Sequence, residues 1–185
     1  MSATSVNSER ALAPPAIPLP PPPLSNFKIG LYQLSVSPDK DNNIAHARTA
    51  IQDDASKGAQ LVLLPEIWNS PYSNDSFSVY AEDIDAGASP STAMLSELSR
   101  ILKITIVGCF ILESYGGLLY NTCCVFGTDE NLLAKDRKIH LFDIDIPGKI
   151  TFIESKTLTV GETLTIVDTG CNPEGSLEIN YPIVS

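Results

Sequence analysis

Leu61-Val-Leu-Leu-Pro-Glu66 is the stretch that decides how this chain folds. Four consecutive apolar residues describe a strand buried on both faces, as in a parallel sheet. Pro65 has no amide hydrogen, so the ladder is expected to stop there, leaving the carboxylate of Glu66 where a buried strand ends. In open α/β sheets, ligands collect outside the carboxyl ends of the strands. Partial burial at such a point raises a carboxyl pKa and suits the group to general-base work. The same hexapeptide is also compatible with a strand-end glutamate in solvent or in a salt bridge, because Glu is seldom buried without a partner.

Working outward, Phe27 to Leu34 alternates as a strand. Asp39 to Lys57 reads as a helix, with Asp41 or Asn42 as the cap and Ile44, Ala47, Ile51 and Ala55 on one face. Gly58 ends it, so the chain opens with a β-α-β unit. Ser89-Pro90 starts a second helix, with serine at the cap and proline at the first helical position. Its expected buried face is Leu95, Leu98, Ile101 and Leu102. A strand over 104–112 follows, then a Gly116-Gly117 turn, a strand over 118–126, a turn over 127–131 and a strand over 132–137. The fold class is therefore α/β, a mixed sheet with a β-α-β start and an antiparallel meander. Residues 138–155 read as a long loop, a type of segment that is often functional. Strand character returns over 157–168, around Gly161.

The chain has 185 residues, 43% of them hydrophobic, which is enough for one sizeable domain. A net charge of −10 argues against nucleic acid or an anionic membrane surface as partner. Ile104 to Leu112, the longest apolar run, is too short for a membrane-spanning helix, which needs about 20 residues. Residues 1–26 form a Pro-rich tail, including Pro18-Leu-Pro-Pro-Pro-Pro23, that favours polyproline II and builds no core. The four cysteines, Cys109, Cys123, Cys124 and Cys171, have no spacing to His46 or His140 that suggests zinc, and no metal is expected. With no secretory signal in view, the expectation is a reducing, cytoplasmic setting with free thiols. A plastid or mitochondrion is the alternative, since Ser, Ala and Arg10 in the tail have some transit-peptide character.

Lys138 lies where the last meander strand enters the loop, and a lysine there can hold a developing oxyanion. Its alternative reading is an exposed lysine. Glu154 is a further carboxylate of the same loop, and His140 is more readily structural than catalytic. Leu-Pro-Glu66 with Asn69-Ser-Pro-Tyr72, together with Arg137-Lys-Ile-His-Leu-Phe-Asp-Ile-Asp-Ile-Pro-Gly148, resembles the nitrilase (carbon–nitrogen hydrolase) superfamily, omega-amidase branch, over residues 27–169. The resemblance implies the N-terminal part of an α-β-β-α sandwich. It implies Glu66 as general base, Lys138 as oxyanion holder, Glu154 as a second carboxylate and Tyr72 as a substrate-pocket residue. The implied reaction is hydrolysis of short 2-oxo acid amides (2-oxoglutaramate, 2-oxosuccinamate) through a thioester, without metal or organic cofactor.

The family's third catalytic group, a cysteine in a pattern like Gly-x-x-Ile-Cys-Tyr-Asp, has no counterpart among these residues. Cys171 comes too early and sits among the turn formers Asn172, Pro173 and Glu174. Cys109, Cys123 and Cys124 lie in expected strands as inert thiols. Residues 170–185 read as a divergent tail. The expectation is a partial hydrolase domain, inactive for want of the thiol, with apolar surface left exposed. Such a chain would form a homo-oligomer or pair with a full-length homologue. The alternatives are a non-catalytic fragment that associates with such homologues, or another amidase or carbamoylase of the family.

Overall fold

The computed structural model describes residues 28–169 and the backbone of 176–179; the Pro-rich tail and Cys171 lie outside them. Three strands run parallel in the order β1 (Ile29–Leu31), β2 (Leu61–Leu63) and β3 (Thr105–Tyr115). β4 (Leu118–Phe126) and β5 (Leu132–Arg137) extend the sheet as an antiparallel meander, giving the order β1-β2-β3-β4-β5. The mixed sheet matches the reading of the sequence. β2 is an interior strand, parallel to both neighbours, which explains its unbroken apolar run.

α1 (Lys40–Ser56) and α3 (Pro90–Leu102) cover one face of the sheet. Ala47 and Ile51 of α1 pack with Leu95 and Leu98 of α3 against Val62, Ile106, Cys124 and Phe126. Ser89 caps α3, its side chain accepting from the Thr92 amide. α1 is capped by Asp39, which accepts the Asn42 amide at 3.0 Å, rather than by Asp41 or Asn42. Asp39 has the extended backbone that a cap needs, whereas Asp41 and Asn42 are already helical. Ile101 is 55% exposed, because the buried stripe of α3 runs through Met94, Leu95 and Leu98, with Leu102 at its flank.

Four further departures bear on the site. β1 is only three residues long, since β2 stops at Leu63 and offers no ladder beyond it. A short helix, α2 (Asn74–Tyr80), was not legible in the sequence; Phe77 is its one buried residue. The expected loop 138–155 contains a hairpin, β6 (Asp143–Ile146) with β7 (Ile150–Ile153), turned at Gly148 with φ of 73°. A 3-10 turn, Glu154–Lys156, follows it. The alternation of Asp143-Ile-Asp-Ile146 carried that signal. Finally, β8 is confined to Thr165–Asp168, paired with β9 (Ser176–Ile179). Residues 157–164 run as an extended strap instead of a strand.

The second face of the sheet gathers Leu61, Val107, Cys123 and Val125 and is covered at Val167 of β8. Toward β1 it stays open: Ile29 and Leu31, in register with Leu61 and Leu63, are 47% and 73% exposed.

Candidate active site

Glu66 follows β2 through Pro65, and the next residues turn sharply. The Ile67 amide donates to the Phe110 carbonyl at 2.8 Å, and both residues have positive φ, 48° and 54°. A β-branched residue in that region is a true outlier, costing about 1–3 kcal/mol, and such strain gathers at functional sites. Burial of Ile67 with Phe77, Leu112 and Leu158 holds the turn in place. The result keeps the Glu66 side chain 37% exposed at the rim of a buried cluster.

Lys138 stands at the centre of that cluster. Its side chain is 5% exposed, and Nζ lies 2.8 Å from Glu66 Oε1 and 3.0 Å from Glu154 Oε2. Glu154 is wholly buried. It also accepts from the Phe142 amide at 2.6 Å and from the Tyr72 hydroxyl at 2.5 Å. An ammonium between two carboxylates, each with further donors, meets the condition under which buried charge is tolerated. Burial, then the hydrogen bond to Glu154, pushes the Tyr72 hydroxyl pKa upward, so tyrosine stays a donor. Its ring packs on Phe152 with centroids 5.0 Å apart. Three elements far apart in sequence thus meet: the β2 end, the β5 end and the 3-10 turn after the hairpin.

Asn121 of β4 is the residue that sequence reasoning missed. It is fully buried and donates from Nδ2 to Glu66 Oε1 at 2.7 Å, while its carbonyl accepts the Lys138 amide at 2.8 Å. One residue thus positions both Glu66 and Lys138. Nothing in Tyr120-Asn-Thr122 distinguishes it from any strand asparagine. His140 is exposed.

Lys138 is also clamped through its backbone. The 157–164 strap crosses it, with the Gly161 amide donating to the Lys138 carbonyl at 2.8 Å. A Cβ on Gly161 would stand 1.9 Å from the Arg137 carbonyl oxygen. Gly161→Ala is therefore expected to lower stability by about 1–3 kcal/mol, as overpacking does. Urea unfolding tests this: a loss below about 0.5 kcal/mol, the scale of a neutral surface change, would mean the strap simply yields.

The neighbouring Arg137 points away from Lys138, into a second charged group. Its guanidinium grips Glu113 of β3 through Nε and Nη2, at 2.7 and 2.8 Å, and Lys135 Nζ adds a contact at 2.8 Å. Tyr115 and Tyr120 flank the guanidinium. A cleft of about 520 Å³ lies over these residues, lined also by the strap. Its cations are already paired with Glu113 and Asp85.

Two of the described cysteines, Cys123 and Cys124, are held as protonated thiols. Burial pushes the Cys124 pKa up to about 12, helped by the charge of Glu113. Cys123 is pushed up by its hydrogen bond to Cys109 and by burial. Cys109 is half-buried in β3.

A strand-end glutamate and a lysine from a meander thus meet on a mixed sheet with helices on one face. The model of the family described as "Carbon-nitrogen hydrolase" matches residues 28–179, and the chain belongs to the family. The match runs past residue 169, where the motif-based resemblance ends. The chain is 72% identical over 169 residues to an omega-amidase, chloroplastic, of Arabidopsis thaliana, covering 90% of this chain and 46% of the relative. It is 49% identical over 146 residues to the human omega-amidase NIT2, covering 79% and 52%. Among solved structures, Nit3 of Saccharomyces cerevisiae, a member of branch 10 of the nitrilase superfamily, superposes with a TM-score of 0.70 at 38% identity. That superposition covers 81% of this chain and 53% of Nit3. The chain thus spans about half the length of the relatives it matches.

Proposed function

We propose that this chain carries the base and the oxyanion-holding lysine of an omega-amidase-type site for short 2-oxo acid amides such as 2-oxoglutaramate. The observation that carries the reading is the position of Lys138 Nζ, 2.8 Å from Glu66 and 3.0 Å from Glu154. Glu66 is the exposed member of the pair and so the one that can meet a thiol. In the reaction, its carboxylate takes the thiol proton and the thiolate attacks the amide carbonyl. Lys138 holds the resulting oxyanion, and Glu66 returns the proton to departing ammonia. Glu154, Tyr72 and Asn121 hold the lysine and the base in place. No step uses a metal or organic cofactor.

The thiol has to come from elsewhere than Cys109, Cys123 and Cys124. The isolated chain is therefore expected to bind 2-oxoglutaramate without releasing ammonia. A thermal shift with 2-oxoglutaramate, beside a coupled ammonia assay, tests both parts. Ammonia release abolished by Cys171→Ser would make Cys171 the nucleophile and overturn the inactivity. A shift with N-carbamoyl-β-alanine alone would favour the carbamoylase reading.

One observation favours a second, non-catalytic reading, in which the chain associates with a full-length homologue or with itself: the open sheet face at Ile29 and Leu31. A monomer by light scattering at high concentration would count against it. As for location, the chloroplastic designation of the Arabidopsis relative supports the plastid alternative over the cytoplasm. Among the described residues no helix is long and apolar enough to cross a membrane.

A further inference from the structure

Two thiols face each other across β3 and β4 in a place the proposed reaction does not use. Cys109 is half-buried, Cys123 is fully buried, and their sulfurs lie 3.9 Å apart with Cys123 donating to Cys109. Both belong to the second face of the sheet, whereas the adjacent Cys124 packs among the helices. The ladder pairs Gly108 with Cys124 and then Ile111 with Thr122, so Cys109 and Phe110 together oppose Cys123. That is a β-bulge, where strand pairing is locally released and side chains are re-aimed.

We propose that Cys109 and Cys123 form a redox-convertible dithiol that closes to a cross-strand disulfide when a peroxide is the oxidant. Cys109, the less buried of the two, attacks the peroxide oxygen and becomes a sulfenic acid, and one water leaves. Cys123 then attacks the Cys109 sulfur. The S–O bond breaks, the S–S bond forms, and the hydroxyl departs as a second water with the Cys123 proton. Two thiols and one hydrogen peroxide thus give one disulfide and two waters, and two molecules of a free thiol such as glutathione reverse the change by exchange, leaving as their own disulfide. Cys123 takes the resolving role by position, because its buried sulfur already lies 3.9 Å from that of Cys109, and it attacks as it gives up its proton.

The geometry makes closure local. A disulfide needs its sulfurs at about 2.05 Å and its Cβ atoms at about 3.5–4.5 Å, and directly opposed residues of an antiparallel pair stand only slightly farther apart. Closing it draws the bulge toward β4 at the point where both supports of the Glu66 turn originate. Phe110, next to Cys109, accepts the Ile67 amide, and Asn121, two residues before Cys123, donates to Glu66. Oxidation therefore tightens the turn that carries Glu66, whether or not Glu66 acts as a base.

The test is to treat the full chain with hydrogen peroxide, alkylate the remaining thiols and map cross-links by non-reducing peptide mass spectrometry. The expected product is a Cys109–Cys123 link that dithiothreitol removes and that is missing from Cys109→Ser. Cys109→Ala serves if the serine variant does not fold. Hydrogen exchange at the Ile67 amide is expected to slow several-fold in the oxidised chain. Sulfinic acid on Cys109 with Cys123 still alkylated would overturn the proposal, as would links that run only through Cys124 or Cys171. A correct link with unchanged Ile67 exchange would overturn its connection to the Glu66 turn.

Discussion

Lys138→Met is expected to destabilise the chain by about 3–5 kcal/mol, the cost of leaving a buried charge without its partner. Glu154 is wholly buried and Lys138 is its countercharge at 3.0 Å. Methionine keeps most of the stem length but removes the ammonium. Glu154 then faces the Glu66 side of the cluster with only the Tyr72 hydroxyl and the Phe142 amide among the donors named above. Adding Glu154→Gln to the Lys138→Met variant is expected to recover a large part of the loss, because it removes the stranded charge as well. Urea unfolding of the two single variants and the double variant completes the cycle. Additive losses in the double variant would mean that the two side chains do not act as a pair, and the reading of Lys138 as held by carboxylates would fail with it.

The second large effect is a pH dependence seated at Glu113. Burial opposes ionisation of this group, yet hydrogen bonds from Arg137, Lys135 and Thr122 outweigh it and hold the carboxyl down to about 2. Its unfolded value is about 4.3. A depressed folded pKa means stability that is fully present above about 4.3 and is lost as pH falls through about 2. The contribution at neutral pH is roughly 3 kcal/mol on that linkage. Glu113→Gln should therefore be clearly less stable than the parent at pH 7, and the gap should narrow as pH drops below about 4. The difference between the two proteins isolates Glu113 from the other carboxylates. A gap that stays constant from pH 7 down to pH 3 would falsify the assignment. Because Arg137 precedes Lys138, loosening this ion pair also loosens the β5 end that aims the lysine.

Much of the scaffold was legible because the signals were local. Leu61-Val-Leu-Leu announced an interior parallel strand by its unbroken apolar run. Ser89-Pro90 marked a helix start by capping chemistry, and Gly116-Gly117 marked a hairpin by its two positive φ angles. Local signals failed where the outcome depended on a partner element. The length of β1 was set by where β2 stops. Strand character around Gly161 turned out to be a strap that runs against the Arg137–Lys138 backbone, with no side chain to hold it off.

For the site, the chain's own residues marked the groups to which we assign the proposed chemistry. A carboxylate ends a buried strand at Glu66, a lysine leaves the meander at Lys138, and a further carboxylate follows at Glu154. Their resemblance to the carbon–nitrogen hydrolases rested on those same positions. Only the tertiary structure decided that the three meet around one ammonium, that Asn121 holds both ends, and that Cys109 opposes Cys123 across a bulge. The physical reason is that burial and charge pairing are made between residues 16 to 72 positions apart. The energy of such a contact lies in its environment, which no single segment of sequence encodes.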